Sequence, residues 1–217
     1  MIPKRIFRIW LGNTKPKPIF EAWWERFEEL HPAWELATIR DGDADSIIDG
    51  ELRNAYYFCS TYSERTDILR HPLLYRFGGV YVDCDVFPIK PLDPLMNEDS
   101  PFFCWQTKAC LETAVVGSPA SHPAIKAVMD FLPKHYWNHA QESPHVSTGP
   151  AAVSRVLVPR TDIRKLPKEA FMPVGRCNVK LFMSRCLNSS GYVGHFAGGS
   201  WWSEAKKRRE TGRRAVI

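Results

Sequence analysis

Two aspartates separated by one residue, Asp83 and Asp85, close the short apolar run Val80-Tyr81-Val82. That run is β-branched and aromatic, and is expected to be a buried strand. Side chains alternate along a strand, so Asp83 and Asp85 are expected on one side and Cys84 on the other. Carboxylates held together repel and raise each other's pKa unless a cation lies between them. A hard divalent metal with oxygen ligands is the simplest such cation. A glycosidase is excluded by geometry, since its carboxyls flank the scissile bond at roughly 5–9.5 Å on opposite sides. Neighbours that converge on one point suit a cation instead.

The residues before the pair must position it. Ile68, Leu69, Leu73 and Leu74 have helical apolar spacing, and Gly78-Gly79 is expected to end that helix where a left-handed residue costs little. Asp67 and Arg70, three apart, share a helix face and can pair. Such pairs are ordinarily solvated surface contacts. Here the strand that carries Asp83 and Asp85 follows directly on the same helix. Pro72 lacks a donor and crowds the Ile68 carbonyl, so a kink is expected there that would re-aim Asp67 and Arg70.

Around this centre the chain alternates strands and helices. A first strand runs through Ile6, Phe7, Ile9 and Leu11, followed by an amphipathic helix from Ile19 to Leu30 and a second strand from Trp34 to Ile39. Arg40-Asp41-Gly42-Asp43 reads as a loop, and residues 51–60 as a helix. Further strands are expected near Phe102–Gln106, Leu111–Val116 and Phe171–Val174, with a turn at Gly117-Ser118-Pro119 and a helix from His122 to His135. Ser147-Thr148-Gly149-Pro150 begins another helix, as a structural cap or as amides that receive an anion or hydroxyl. The pattern predicts an α/β fold with ligands at the carboxyl ends of the strands.

The 217 residues fit a single domain, 44% hydrophobic and 24% charged. Of the formal +5 charge, +4 comes from residues 203–217, where Lys206, Lys207, Arg208, Arg209, Arg213 and Arg214 face only Glu204 and Glu210. A nearly neutral body argues against nucleic acid as a partner. The basic tail is a solvated terminus or a contact for an anionic membrane surface. No stretch has the length of a membrane span and no signal-peptide core opens the chain. Six cysteines without Cys-x-x-Cys spacing read as reduced thiols, which places the protein in the cytoplasm, with the inner face of the membrane as an option. His122, His135, His139 and His145 fit no metal-ligand spacing. No Gly-x-Gly-x-x-Gly or Walker lysine loop occurs.

Across residues 63–87, Asp67 through Arg70, Gly78-Gly79, Tyr81 and Asp83-Cys84-Asp85 resemble the DXD signature of sugar-nucleotide glycosyltransferases. The resemblance is closest to the DXD sugar-binding group that includes glycosyltransferase family 32, related to the initiating α-1,6-mannosyltransferases of yeast and more remotely to the glucosylating toxins. It implies a GT-A type fold over residues 1–202 with a basic tail at 203–217. It also implies Mn²⁺ or Mg²⁺ as cofactor, a nucleotide-sugar donor (UDP-linked ahead of GDP-mannose), a glycan or lipid-linked glycan acceptor, and retention of configuration. By the same resemblance Asp85 ligates the metal directly, and Asp83 shares it or holds the ribose. Asp67 holds donor hydroxyls, Arg70 the donor sugar or phosphate, and Tyr81 belongs to the donor site. Trp10, just before Leu11-Gly12, matches the tryptophan that stacks on the base; its residue type alone fits a core aromatic equally well. His195 matches an imidazole that reaches the cation or diphosphate, against the plain reading of a loop histidine. Ser200 and Trp201 match the closing pair of the family's last segment.

A second reading comes from Val80 to Val86, which also fits the first motif of haloacid-dehalogenase-type phosphatases, a strand ending Asp-x-Asp-x-Val. Those enzymes need a downstream acidic pair and a lysine. Beyond residue 100 the acids Glu112, Asp130, Glu142, Asp162 and Glu169 are scattered, and the motif lies mid-chain behind a helix.

Overall fold

Period-two alternation is what divides the core. In the first strand, Phe7 and Ile9 enter one hydrophobic cluster while Ile6 enters another on the opposite face. The computed structural model describes residues 1–175 and 177–197. Its elements in chain order are β1 (Arg5–Ile9), α1 (Pro18–Leu30), β2 (Glu35–Ile39), α2 (Asp41–Ile47), α3 (Gly50–Phe58), α4 (Tyr62–Phe77), β3 (Gly79–Val82), β4 (Val86–Pro88), β5 (Phe102–Thr107), β6 (Cys110–Ser118), α5 (Pro123–His139), α6 (Pro144–Ser147), α7 (Pro150–Leu157), β7 (Arg164–Leu166), α8 (Val179–Leu187) and β8 (Val193–His195).

Six strands form a mixed sheet in the order β2-β1-β3-β6-β5-β7, and β4 pairs with β8 in a separate ribbon. The β1–β2, β1–β3 and β5–β7 pairs are parallel, while β6 runs antiparallel to β3 and β5. Helices α3, α4, α5 and α7 cover one face, where Tyr81, Phe103 and Val116 meet Ile68, Leu69, Leu73 and Leu74. On the other face Val80, Val82 and Phe102 pack with Trp24 and Phe27 of α1.

Helix α4 starts at a capping box in which the Thr61 hydroxyl accepts from Glu64 N and the Glu64 carboxylate accepts from Thr61 N. It continues through Pro72 to Phe77. Every residue from Asp67 to Leu74 is buried, and that packing outweighs one missing hydrogen bond. The helix stops at Gly78 (φ 61°), and Gly79 continues at φ 109°. A Cβ on Gly79 would lie 2.4 Å from Arg5 Cγ and 2.9 Å from Arg5 O. Gly79→Ala is therefore expected to destabilise the protein by about 1–3 kcal/mol, read from denaturant midpoints.

Three local expectations need correction. Residues 41–47 form α2, in which Asp43 Oδ2 accepts from Arg40 N at 2.8 Å and acids occupy the first turn. Phe171–Val174 is not a strand: Pro173 offers no donor, and Phe171 instead packs on Phe102 with ring centroids 5.8 Å apart. Gly117 and Ser118 stay within β6, paired with Val80 and Gly79.

Candidate active site

Strand β3 ends at Val82, so Asp83, Cys84 and Asp85 belong to a tight turn rather than to the strand. Asp83 N donates to Ala114 O at 2.7 Å, and Val86 N returns to Asp83 O at 3.1 Å. The two carboxylates do converge, but through this turn and not through strand alternation. The reversed chain enters β4, whose Val86 pairs with His195 of β8. His195 N donates to Phe171 O and Phe196 N to Asp85 O, both at 3.0 Å. The ribbon thereby folds His195 back over the turn. One ligand atom from each of Asp83, Asp85 and His195 lies within 4.8 Å of the others. Two carboxylate oxygens and an imidazole nitrogen converging this closely are a donor set that fits a divalent cation.

Beside this cluster Asp67 and Arg70 form a buried ion pair, Nη2 to Oδ1 at 2.6 Å, with side chains 10% and 4% exposed. The pair is buried, unlike the solvated contacts that Asp-x-x-Arg ordinarily makes, because α4 lies against the sheet. Arg70 Nη2 also sits 3.4 Å from Asp83 Oδ1, Nη1 donates to Thr113 O at 2.5 Å, and the guanidinium lies 4.5 Å over the Tyr81 ring. Tyr81 itself is fully buried, and its hydroxyl donates to Asp83 Oδ1. One fixed cation therefore serves both acids. Burial pushes the Asp67 carboxyl up to about 7 even though Arg70 opposes it. Asp83 is also raised, by burial and by the nearby Asp85 charge, against the pull of Arg70. For His195, burial lowers the pKa, but Asp85 at 3.4 Å and Glu112 at 3.5 Å together hold it well above the usual imidazole value.

These groups line a cavity of about 440 Å³ at the carboxyl ends of β1 and β3. Trp10, directly after β1, lines the same cavity, and its Nε1 donates to Thr14 O at 2.5 Å. Trp10, Asp67, Arg70, Tyr81, Asp83, Asp85 and His195 are thus brought together, while Ser200, Trp201 and the basic tail lie outside the described residues.

Two neighbours of the cluster were not assigned to it from the sequence. Glu112, 2% exposed in β6, closes the far side of His195. Its signal was a single acid inside the otherwise uncharged run Cys110–Ser118. Thr148, expected as a cap or anion receiver, donates from Oγ1 to Asp67 Oδ2 at 3.0 Å, while Ser147 Oγ donates to Glu64 Oε1 at 3.1 Å. The Ser147–Pro150 segment is fastened to α4 by these two acids.

Residues 20–101 match the family model described as "Glycosyltransferase sugar-binding region containing DXD motif". The chain carries a DXD sugar-binding region. Inositol phosphoceramide mannosyltransferase 3 of Schizosaccharomyces pombe is 29% identical over 179 residues, covering 76% of this chain and 47% of that protein. Mannosyl phosphorylinositol ceramide synthase CSH1 of Saccharomyces cerevisiae is 30% identical over 166 residues, covering 72% and 42%. The chain spans less than half the length of these curated relatives. Among solved structures, PaToxG Glycosyltransferase superposes with a TM-score of 0.66 at 16% identity, covering 73% of this chain and 69% of that one. The UDP-bound glycosyltransferase domain from the YGT toxin gives 0.60 at 10% identity, covering 76% and 79%. The sugar-binding region is thus built into an α/β fold of the GT-A type, as expected. Among the described residues no helix is long and apolar enough to cross a membrane.

Proposed function

We propose that the protein is a metal-dependent glycosyltransferase that moves a hexose, with retention, from a nucleoside-diphosphate sugar to a glycan or lipid-linked acceptor. The observation that carries this reading is the convergence of Asp83, Asp85 and His195 in a cavity whose wall holds the buried Asp67–Arg70 pair. Mn²⁺ or Mg²⁺ held by these three side chains would neutralise the charge that develops on the leaving diphosphate.

The chain's own groups divide the remaining work. Arg70, fixed by Asp67, Thr113 O and the Tyr81 ring, presents a preorganised positive charge to the donor phosphate or sugar. Asp67, with Oδ1 on Arg70 and Oδ2 on Thr148, has acceptor capacity left for a sugar hydroxyl. Among the described residues the carboxylates that line the cavity are all engaged: Asp67 and Asp83 by Arg70, Glu112 by backbone amides, Asp85 by His195. That argues against a covalent glycosyl-enzyme and for front-face attack, in which the leaving phosphate takes the acceptor's proton. Trp10 receives the base. Trp10→Ala is expected to raise KM for the donor about tenfold with kcat little changed, in line with stacking worth roughly 1–3 kcal/mol per base.

The names of the yeast relatives make mannose the sugar we propose and an inositol-phosphate lipid the acceptor class. The UDP-bound toxin domain keeps a UDP-linked donor beside GDP-mannose. A cytoplasmic setting is kept for the six cysteines, all free thiols. The test is a panel of UDP- and GDP-linked sugars with Mn²⁺, scored by donor hydrolysis and thermal shift. One donor is expected to be hydrolysed and to raise the melting temperature only with metal. Absence of both signals across the panel contradicts the proposal.

A further inference from the structure

We propose that Glu112 is a positioning residue for His195, holding the imidazole so that its Nε2 faces the Asp83–Asp85 turn as a metal ligand. The inference rests on the metal reading above and extends it to a residue outside the sugar-binding region.

An acid at 2% exposure inside a sheet is costly unless its oxygens are satisfied. Oε1 of Glu112 accepts from Thr113 N at 2.9 Å and Ala114 N at 3.1 Å, and Oε2 accepts from Gln106 Nε2 at 3.1 Å. These donors clamp the carboxylate, and its remaining capacity points at His195 Nδ1, 3.5 Å from Oε2. Nδ1 is buried and makes no hydrogen bond among the described residues, so this carboxylate is the acceptor in reach. On the other side of the ring, Nε2 lies 3.4 Å from Asp85 Oδ1.

The chemistry follows from the imidazole's two nitrogens. With the proton on Nδ1, facing Glu112, the lone pair is on Nε2, where the cation would sit. The other tautomer would turn a lone pair toward a carboxylate, which is repulsive. A carboxylate behind a metal-binding histidine fixes its orientation in this way, and losing such a partner costs about 10- to 100-fold in metal affinity. A carboxylate kept only to satisfy the strand would need no such contact, since the amides of Thr113 and Ala114 already hold it. With both oxygens donated to, Glu112 is a support and not a nucleophile.

The test measures Mn²⁺ affinity by electron paramagnetic resonance titration of wild type, Glu112→Gln, His195→Ala and the double variant, with circular dichroism and thermal midpoint as checks on folding. The Glu112→Gln amide cannot accept from Nδ1–H while also accepting from the Thr113 and Ala114 amides. It is expected to bind Mn²⁺ about 10- to 100-fold more weakly. The double variant is expected to bind no more weakly than His195→Ala alone. Unchanged affinity in a folded Glu112→Gln, or additive losses in the double variant, overturns the positioning role while leaving the metal site standing. No Mn²⁺ binding by wild type overturns both together. Should the variants not fold, ¹⁵N-histidine spectra of the Mg²⁺-loaded wild type decide: an Nδ1–H, Nε2-unprotonated His195 supports the assignment, and an Nε2–H tautomer refutes it.

Discussion

Asp85→Asn is expected to lower metal-stimulated donor hydrolysis on the order of 10²–10³-fold, the loss typical when one charge-stabilising group is removed from a preorganised site. The substitution keeps the side chain's size and removes only its charge. Asp85 is one of three groups whose ligand atoms lie within 4.8 Å, and a neutral amide is a much poorer ligand for a hard cation. The change in stability is expected to be small, because the repulsion Asp85 exerts on Asp83 and its attraction for His195 oppose each other. Initial rates across a Mn²⁺ series separate lost metal affinity from lost turnover: a deficit recovered at high Mn²⁺ is affinity, and one that persists is chemistry. Wild-type rates at every metal concentration would remove Asp85 from the metal site.

The second large effect concerns folding. Arg70→Met is expected to cost about 3–5 kcal/mol, because it leaves the carboxylates of Asp67 and Asp83 without their shared buried cation. The substituted side chain fills much of the volume above Tyr81, so the loss reports charge more than packing. The sign of its pH dependence follows from the raised acids. Asp67 titrates at 3.8 when unperturbed and at about 7 in the fold. A carboxyl raised in this way favours the folded state at acid pH, and that advantage is lost as pH climbs through the folded value. Without Arg70 both acids rise further. The variant's deficit should therefore be small near pH 4 and largest above pH 7, as read by urea midpoints. A loss under 1 kcal/mol at neutral pH, or a deficit that shrinks as pH rises, would contradict the buried-pair assignment.

How far the sequence reached depended on whether the signal was local. The helix with Asp67 and Arg70, the Gly78-Gly79 stop and the β3 run Val80-Tyr81-Val82 were legible because apolar period and glycine placement act within a few residues. The convergence of Asp83 and Asp85 was read correctly from a wrong cause, since a turn held by Ala114 O replaces strand alternation. Helix α2 was hidden because Asp41, Gly42 and Asp43 are loop formers by composition and first-turn helix residues by position. Phe171–Val174 looked extended, but its anchor is a ring contact with Phe102, sixty-nine positions away in the chain. Glu112 and the partner of Thr148 could not be placed without the sheet register and the docking of α6 on α4. A lone acid in a strand and a Ser-Thr-Gly-Pro phrase carry no direction until the fold supplies one.

The most direct test of a cation-assisted departure of a nucleoside diphosphate is anomalous scattering at the manganese edge from crystals soaked with Mn²⁺ and UDP or GDP. The account predicts a single strong peak among Asp83, Asp85 and His195, with diphosphate density against it and the base beside Trp10. A nucleotide bound in the cavity with no manganese among those three side chains, or manganese held elsewhere, would contradict it.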